Sequence, residues 1–185
     1  MSQQDLVIRA RNGDQEAFSQ LATPALDGHF RTARLILHDD ELAADSVQDA
    51  MLSAWLHIRA VRDPDRFDAW LRRLVIRACY QQSRSRGRRR GVEVVGIAFD
   101  PPSGGDLQHA LAVRDQLERG FRHLSVEHRA ALIVHHYLAL SDAEAATVLD
   151  VAIGTYKSRL HRATSAMRAA LEADDRSPVL REPMR

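Results

Sequence analysis

Val151 to Leu171, VAIGTYKSRLHRATSAMRAAL, is the stretch around which the rest of the chain is read. It is 21 residues long and contains neither an acid nor a proline. Tyr156, Leu160, Ala163, Met167 and Leu171 step by four, three, four and four, the period of one helical face. Lys157, Ser158, His161 and Arg162 turn away from that face, and Arg159 and Arg168 add charge at its margin. Just upstream, Ser141-Asp142-Ala143-Glu144 has capping-box spacing, in which the Glu can return a hydrogen bond to the cap's own N–H. The pattern predicts a short helix from Asp142 to Leu149, a turn at Asp150-Val151-Ala152, and then the basic helix. That order is the helix-turn-helix arrangement, whose second helix enters the major groove of DNA. On composition alone the same pattern also describes a helical hairpin with a solvated basic face.

The rest of the chain bounds the choice. At 185 residues it suits one or two small domains, and an apolar fraction of 45% is enough to build cores. Its 26 basic and 25 acidic residues nearly cancel, but they are segregated. Asp39 to Asp49 holds five acids and no base, whereas Arg66 to Arg90 holds nine arginines and one acid, Asp68. Such a balance fits a protein that meets nucleic acid on one surface and something else on another. The single cysteine, Cys79, excludes an internal disulfide and falls in an apolar helical run, so a buried inert thiol is expected. The polar start MSQQDLVIRARNGD is not a signal peptide. No apolar run approaches the ~20 residues needed to span a bilayer. A soluble, cytoplasmic protein without membrane insertion is expected.

Helical periodicity runs through the first ninety residues. Ser2 caps a short helix that ends at Gly13, and Asp14 opens a longer one broken at Pro24. Asp39 or Asp40 caps a helix whose core face is Leu42, Val47, Met51, Trp55 and Ile58. After the loop Asp63-Pro64-Asp65, a fourth helix turns Phe67, Trp70, Leu71, Leu74, Ala78 and Cys79 inward. It runs into Arg84 to Arg90, five arginines in seven residues, which is either a solvated tail or a phosphate-binding patch. Continuity with Arg72, Arg73 and Arg77 favours nucleic acid, with polymerase the other candidate contact. Asp100-Pro101-Pro102-Ser103-Gly104-Gly105 is a linker signal. Helical pattern resumes at Gln108 with Leu111, Val113, Leu117, Phe121 and Leu124, then Ser125 caps a helix carrying Ala131, Leu132, Val134 and Leu138. The expected fold is all-α, two small helical domains joined by a flexible linker, with the helix-turn-helix in the second. The boundaries are 1–91, linker 92–107, 108–173 and tail 174–185.

No catalytic constellation is present. His135 and His136 are adjacent, so on a helix they point about 100° apart and cannot readily chelate one ion. No HExxH spacing, GxSxG elbow, phosphate-binding glycine-lysine loop or GxGxxG string occurs. Neither a metal nor a cofactor is expected. Trp55 and Trp70 fall on apolar stripes and read as core rather than as a base-stacking platform.

The string GTYKSRLHRA, Gly154 to Ala163, closely resembles the region-four recognition helix of extracytoplasmic-function sigma factors of bacterial RNA polymerase, departing at Tyr156. Gly13 to Phe18 matches their GDxxAF opening. Asp45-Ser46-Val47-Gln48-Asp49-Ala50 is similar to their DxVQ(E/D)xF segment, and Phe67 to Leu74 resembles FxxWLxxI. Leu124 to Tyr137 resembles their LPxxxRxxxxLxxx helix. The likeness covers roughly residues 10–90 and 110–172, in the family's order with a linker between.

This resemblance implies an alternative sigma factor that binds core RNA polymerase and directs transcription initiation at promoter DNA. Asp45, Gln48 and Asp49 would dock on the clamp helices of the polymerase large subunit. The loop around Asp63 and the basic helix with Arg73 and Arg77 would capture the minus-ten element as a melted strand. Thr155, Lys157, Ser158, Arg159, His161 and Arg162 would read the minus-thirty-five element as duplex. An anti-sigma factor is the further partner implied, and the nucleotide chemistry belongs to the polymerase. Arg77 stands where Asn is common and Gln81 where Asp is frequent, which suggests an atypical minus-ten preference. Ser125 replaces a usual Pro, and Ala139 a Gly often found before the second-domain turn. The rival reading is a stand-alone helix-turn-helix regulator, which has no need of the acidic Val47-Gln48-Asp49 helix.

Overall fold

Polar side chains start most of the helices, as the sequence leads one to expect. Each accepts a hydrogen bond from a backbone N–H that the first helical turn leaves without a partner. Ser2 starts α1 (Gln3–Arg11), Asp14 starts α2 (Gln15–Ala22) and Asp39 starts α4 (Asp40–His57). Ser125 starts α7 (Val126–Leu132) and Ser141 starts α8 (Asp142–Val148). The remaining helices are α3 (Leu26–Leu37), α5 (Phe67–Gly87), α6 (Leu107–Arg122) and α9 (Ile153–Arg176). Pro24 breaks the α2–α3 run into a 3-10 turn, Thr23–Ala25. The computed structural model describes residues 1–87 and 107–176, and within them all side chains except 86, 87, 107–112, 114 and 174–176. The linker 92–107 up to its last residue, the arginines 88–90 and the tail beyond 176 lie outside the described residues. No strand occurs among the described residues.

The first half has a small core of its own under α1: Val7, Ala10, Ala17, Leu21, Ala54, Ile58, Val61, Phe67 and Leu71. A larger core continues through both halves. It joins Ile36, Val47, Val75, Ile76 and Cys79 to Phe121, Leu132, Val134, Tyr156 and Met167. The inert reading of Cys79 fits this placement, since burial pushes its thiol up to about 12.

On α4 the packing differs from the expected stripe. Leu42, Met51 and Trp55 are half-buried flanks, and the seam is made of Ala43, Ser46, Val47, Ala50 and Ala54. Small side chains let α4 lie close to α3 and α5, with the larger ones closing the edges. In the second half, Val113 is exposed rather than inward. The helix after Ser125 also departs from a regular α pattern, because Ile133–Tyr137 forms a π turn. Ala130 to Val134 are all buried, which suits an element enclosed by α9 on one side and the first half on the other. Where α6 crosses α9, a Cβ on Gly120 would lie 2.8 Å from the Met167 sulfur, so a larger residue there would make the flexible Met167 side chain shift.

Candidate nucleic-acid and polymerase surfaces

The helix-turn-helix is assembled from local chemistry first. The Glu144 carboxylate accepts from Ser141 N at 3.0 Å and from its hydroxyl at 2.6 Å, completing the capping box. Those bonds hold the Glu144 carboxyl below the usual range. Asp150 enters the turn with φ 57°, a left-handed residue that reverses the chain. Tyr156 then anchors α9: it is fully buried, and its hydroxyl lies 3.3 Å from His135 Nδ1. Ala163 and Met167 continue the buried side.

Thr155, Lys157, Ser158, His161 and Arg162 are all exposed on α9. Their spacing keeps them on neighbouring turns of the helix face opposite the buried stripe. Lys157 Nζ lies 3.4 Å from Asp142 Oδ2, so α8 tempers one of these cations. Ser158 donates to Thr155 O within its own helix at 2.9 Å. Arg159 departs from the group. It is half-buried and lines a cavity of about 410 Å³ with Arg77, Tyr80, Arg84, Glu127 and Asp150, between the two halves.

In the first half, Asp45, Gln48 and Asp49 are exposed along one side of α4. Leu52 and Leu56, 59% and 66% exposed, continue that line by one and two turns. Sequence reasoning passed over these two leucines, although the i, i+4 spacing from Gln48 would have found them. Asp49 Oδ2 accepts from Gln82 on α5 at 3.1 Å. Asp63 serves its own turn: Oδ1 accepts from Asp65 N at 3.1 Å, starting the 3-10 turn Pro64–Arg66. Arg73 is half-buried, while Arg77 is exposed and reaches the other half, its guanidinium 3.1 Å from Asp150 Oδ1.

Two further side chains that the sequence did not single out join the halves. Arg129 on α7, 8% exposed, donates to the main-chain oxygen of Ile36 at 2.7 Å and to that of Leu37 at 3.4 Å. Burial lowers its pKa to about 10. His38, left-handed at φ 60° and closing α3, stacks on Phe121 with ring centroids 6.0 Å apart. A charged residue amid apolar ones, HRAALIV, was the signal available for Arg129. Among the described residues no group of three or more His, Cys, Asp or Glu is placed to hold a metal ion. His135 and His136 meet edge to face, at 88°.

The family descriptions Sigma-70 region 2 and Sigma-70 region 4 match residues 26–89 and 114–167. The sigma factor SigM of Mycobacterium tuberculosis, of the extracytoplasmic-function class, is 34% identical over 84% of this chain and 77% of its own length. The chain belongs to the extracytoplasmic-function sigma factors. As a member it binds core RNA polymerase and directs promoter recognition and transcription initiation. The RNA polymerase sigma-H factor of Pseudomonas aeruginosa is 30% identical, covering 97% of this sigma factor and 96% of itself. Among solved structures, RpoE in complex with the anti-sigma factor NepR from Bartonella quintana superposes with a TM-score of 0.66 at 28% identity, covering 85% of this chain and 98% of that one. CnrH in complex with the cytosolic domain of CnrY gives 0.61 at 26% identity, covering 91% and 96%. No helix among the described residues is long and apolar enough to cross a membrane.

Proposed function

We propose that the exposed face of α9, with Thr155, Lys157, Ser158, His161 and Arg162, reads the minus-thirty-five element in the major groove. The observation that carries this is their common exposure on a helix whose opposite side is locked by buried Tyr156, Ala163 and Met167. Cations and hydrogen-bonding side chains so arranged can meet base edges and phosphates together. The first unit, 1–91, takes the melted minus-ten strand with the loop around Asp63 and with Arg73 and Arg77. It docks on the polymerase clamp helices through Asp45, Gln48 and Asp49. The second unit, 108–173, follows the linker 92–107. The protein works in the cytoplasm, holds no cofactor and is not an enzyme, because the polymerase performs the bond-forming step.

The closed packing of the two halves belongs to an inhibited form. Minus-ten and minus-thirty-five elements lie roughly 25 base pairs apart, about 85 Å of B-DNA. Arg77 of the first unit is 3.1 Å from Asp150 beside the reading helix. One duplex cannot engage both surfaces in that arrangement. A partner that holds the halves closed would be an anti-sigma factor, the kind of protein bound to RpoE in a solved relative.

Run-off transcription tests the reading: core polymerase, with and without this protein, on a pool of genomic promoter fragments. New discrete transcripts are expected, and changing Gln48→Ala with Asp49→Arg should remove them. Duplex binding by the protein alone, with core polymerase left unable to initiate, would overturn it in favour of a stand-alone regulator.

A further inference from the structure

The loop between α4 and α5 is held from outside by the N-terminal helix. Gln3 Nε2 donates to Pro64 O at 2.8 Å, and Gln4 Nε2 donates to the Asp65 carboxylate at 3.2 Å. Arg11 donates to Val61 O, and Arg59 Nε returns a bond to Arg11 O at 3.2 Å. Beneath these bonds Val7 and Ala10 of α1 share a core with Ile58, Val61 and Phe67, the residues that bracket the loop. Three donors of one short helix thus converge on the segment Val61 to Asp65. The loop has little else to define it. Its own contribution is the Asp63 cap, the short backbone bonds of its 3-10 turns (Val61 N to Ile58 O at 3.2 Å, Arg66 N to Asp63 O at 3.1 Å) and a loose Arg66–Asp63 pair at 3.6 Å.

We propose that α1 is a positioning element for promoter melting: Gln3, Gln4 and Arg11 hold the 61–65 loop in the shape that receives an unstacked minus-ten base. The inference rests on the reading of that loop given above. None of the three residues need touch DNA. Their effect is preorganisation, because a loop already fixed in its binding shape loses less entropy when a base enters. Alpha-helix α1 lies ahead of the stretch that the region 2 description matches, which begins at residue 26. Minus-ten discrimination therefore depends on residues outside the part of the chain that defines the family.

The test uses the full chain with core polymerase and a promoter recovered by run-off transcription. Gln3→Ala and Gln4→Ala are introduced together, both at exposed positions where truncation leaves no cavity. Open-complex formation is followed on duplex promoter and on the same promoter with a mismatched, already melted minus-ten segment. Each template carries either the parent base or a substituted one in the captured strand.

Since a neutral hydrogen bond is worth roughly two- to tenfold in an equilibrium, the preference for the parent base should fall by about three- to tenfold on both templates. Core affinity and binding of a duplex minus-thirty-five fragment should stay unchanged. Gln4→Lys, which offers the Asp65 carboxylate an ammonium donor, should keep the preference. An unchanged preference in the double variant overturns the proposal, and so does an equal loss of core affinity, which would mark α1 as a general structural support. Asp63→Ala with Asp65→Ala, inside the loop, separates the two levels. If that variant loses discrimination while the α1 variant keeps it, only the role of α1 fails. If both keep it, the reading of the loop fails with it.

Discussion

Arg129 and Ile36, ninety-three positions apart in sequence, are joined by a 2.7 Å hydrogen bond from a buried guanidinium to the last turn of another helix. Helix ends leave carbonyls without an intrahelical donor, and Arg129 takes two of them, at Ile36 and Leu37. Its positive charge also lies at the negative end of the α3 dipole. Arg129→Ala removes both bonds and leaves a void, and should lower the stability of the closed form by about 2–4 kcal/mol. Denaturant unfolding reads the loss, and small-angle scattering should show a larger radius of gyration. A variant as compact and as stable as the parent would dismiss the latch.

His38 makes that junction sensitive to acid. Burial, and then the charges of Arg129 and Arg122, push its pKa down to about 3. An unfolded imidazole titrates near 6.5, so below that pH the unfolded chain takes up a proton that the folded chain refuses. Stability is therefore full above about pH 6.5 and declines as pH falls from there toward 3. Denaturant midpoints at pH 7.5 and 5.5 should differ in that direction. His38→Asn, which tolerates the left-handed backbone, should flatten the slope. His29, also held down chiefly by burial, leaves a remainder of the same sign.

Ala139 sits at φ 50°, a conformation that its Cβ opposes and that glycine adopts freely. Ala139→Gly should stabilise the protein by about 1 kcal/mol after the unfolded-state entropy of glycine is counted. Thermal unfolding should rise by about 2–4 °C for a chain of this size. A fall would mean that the methyl group contributes packing that outweighs the strain.

On the reading helix, Arg162 and Lys157 should not be equivalent. Lys157 has Asp142 3.4 Å away, whereas Arg162 has no partner among the described residues. With core polymerase present, Arg162→Ala should weaken duplex minus-thirty-five binding more than Lys157→Ala does. If Arg162 meets a phosphate, the slope of log affinity against log salt should shrink by about 0.9. If it meets a base, specificity at one position should relax by about 1–3 kcal/mol. Equal losses from both variants would refute the ranking.

Sequence gave most where structure is local. The caps at Ser2, Asp14, Asp39, Ser125 and Ser141 are each decided within four residues, and the α8–turn–α9 unit was legible because its polar and apolar faces are separate. The alanine seam of α4 was not, since an alanine carries little hydrophobic signal and large residues beside it draw the eye. The contacts of Arg129 and His38 were out of reach for another reason, although a charge amid apolar residues marked Arg129 itself. Their partners are main-chain carbonyls and a ring about ninety residues away, and no periodicity encodes such a meeting. The face of α9 could be read, whereas Arg159 turning toward Tyr80 depended on how the halves pack.

The main-chain acceptors of Arg129 also bear on how the protein can diverge. Every residue type supplies a main-chain carbonyl, so substitutions at positions 36 and 37 leave the two acceptors in place as long as α3 keeps its last turn. The arrangement is tolerant on one side and brittle on the other. Drift along α3 can change its side chains without removing those acceptors, while a single codon change at position 129 would remove both bonds at once.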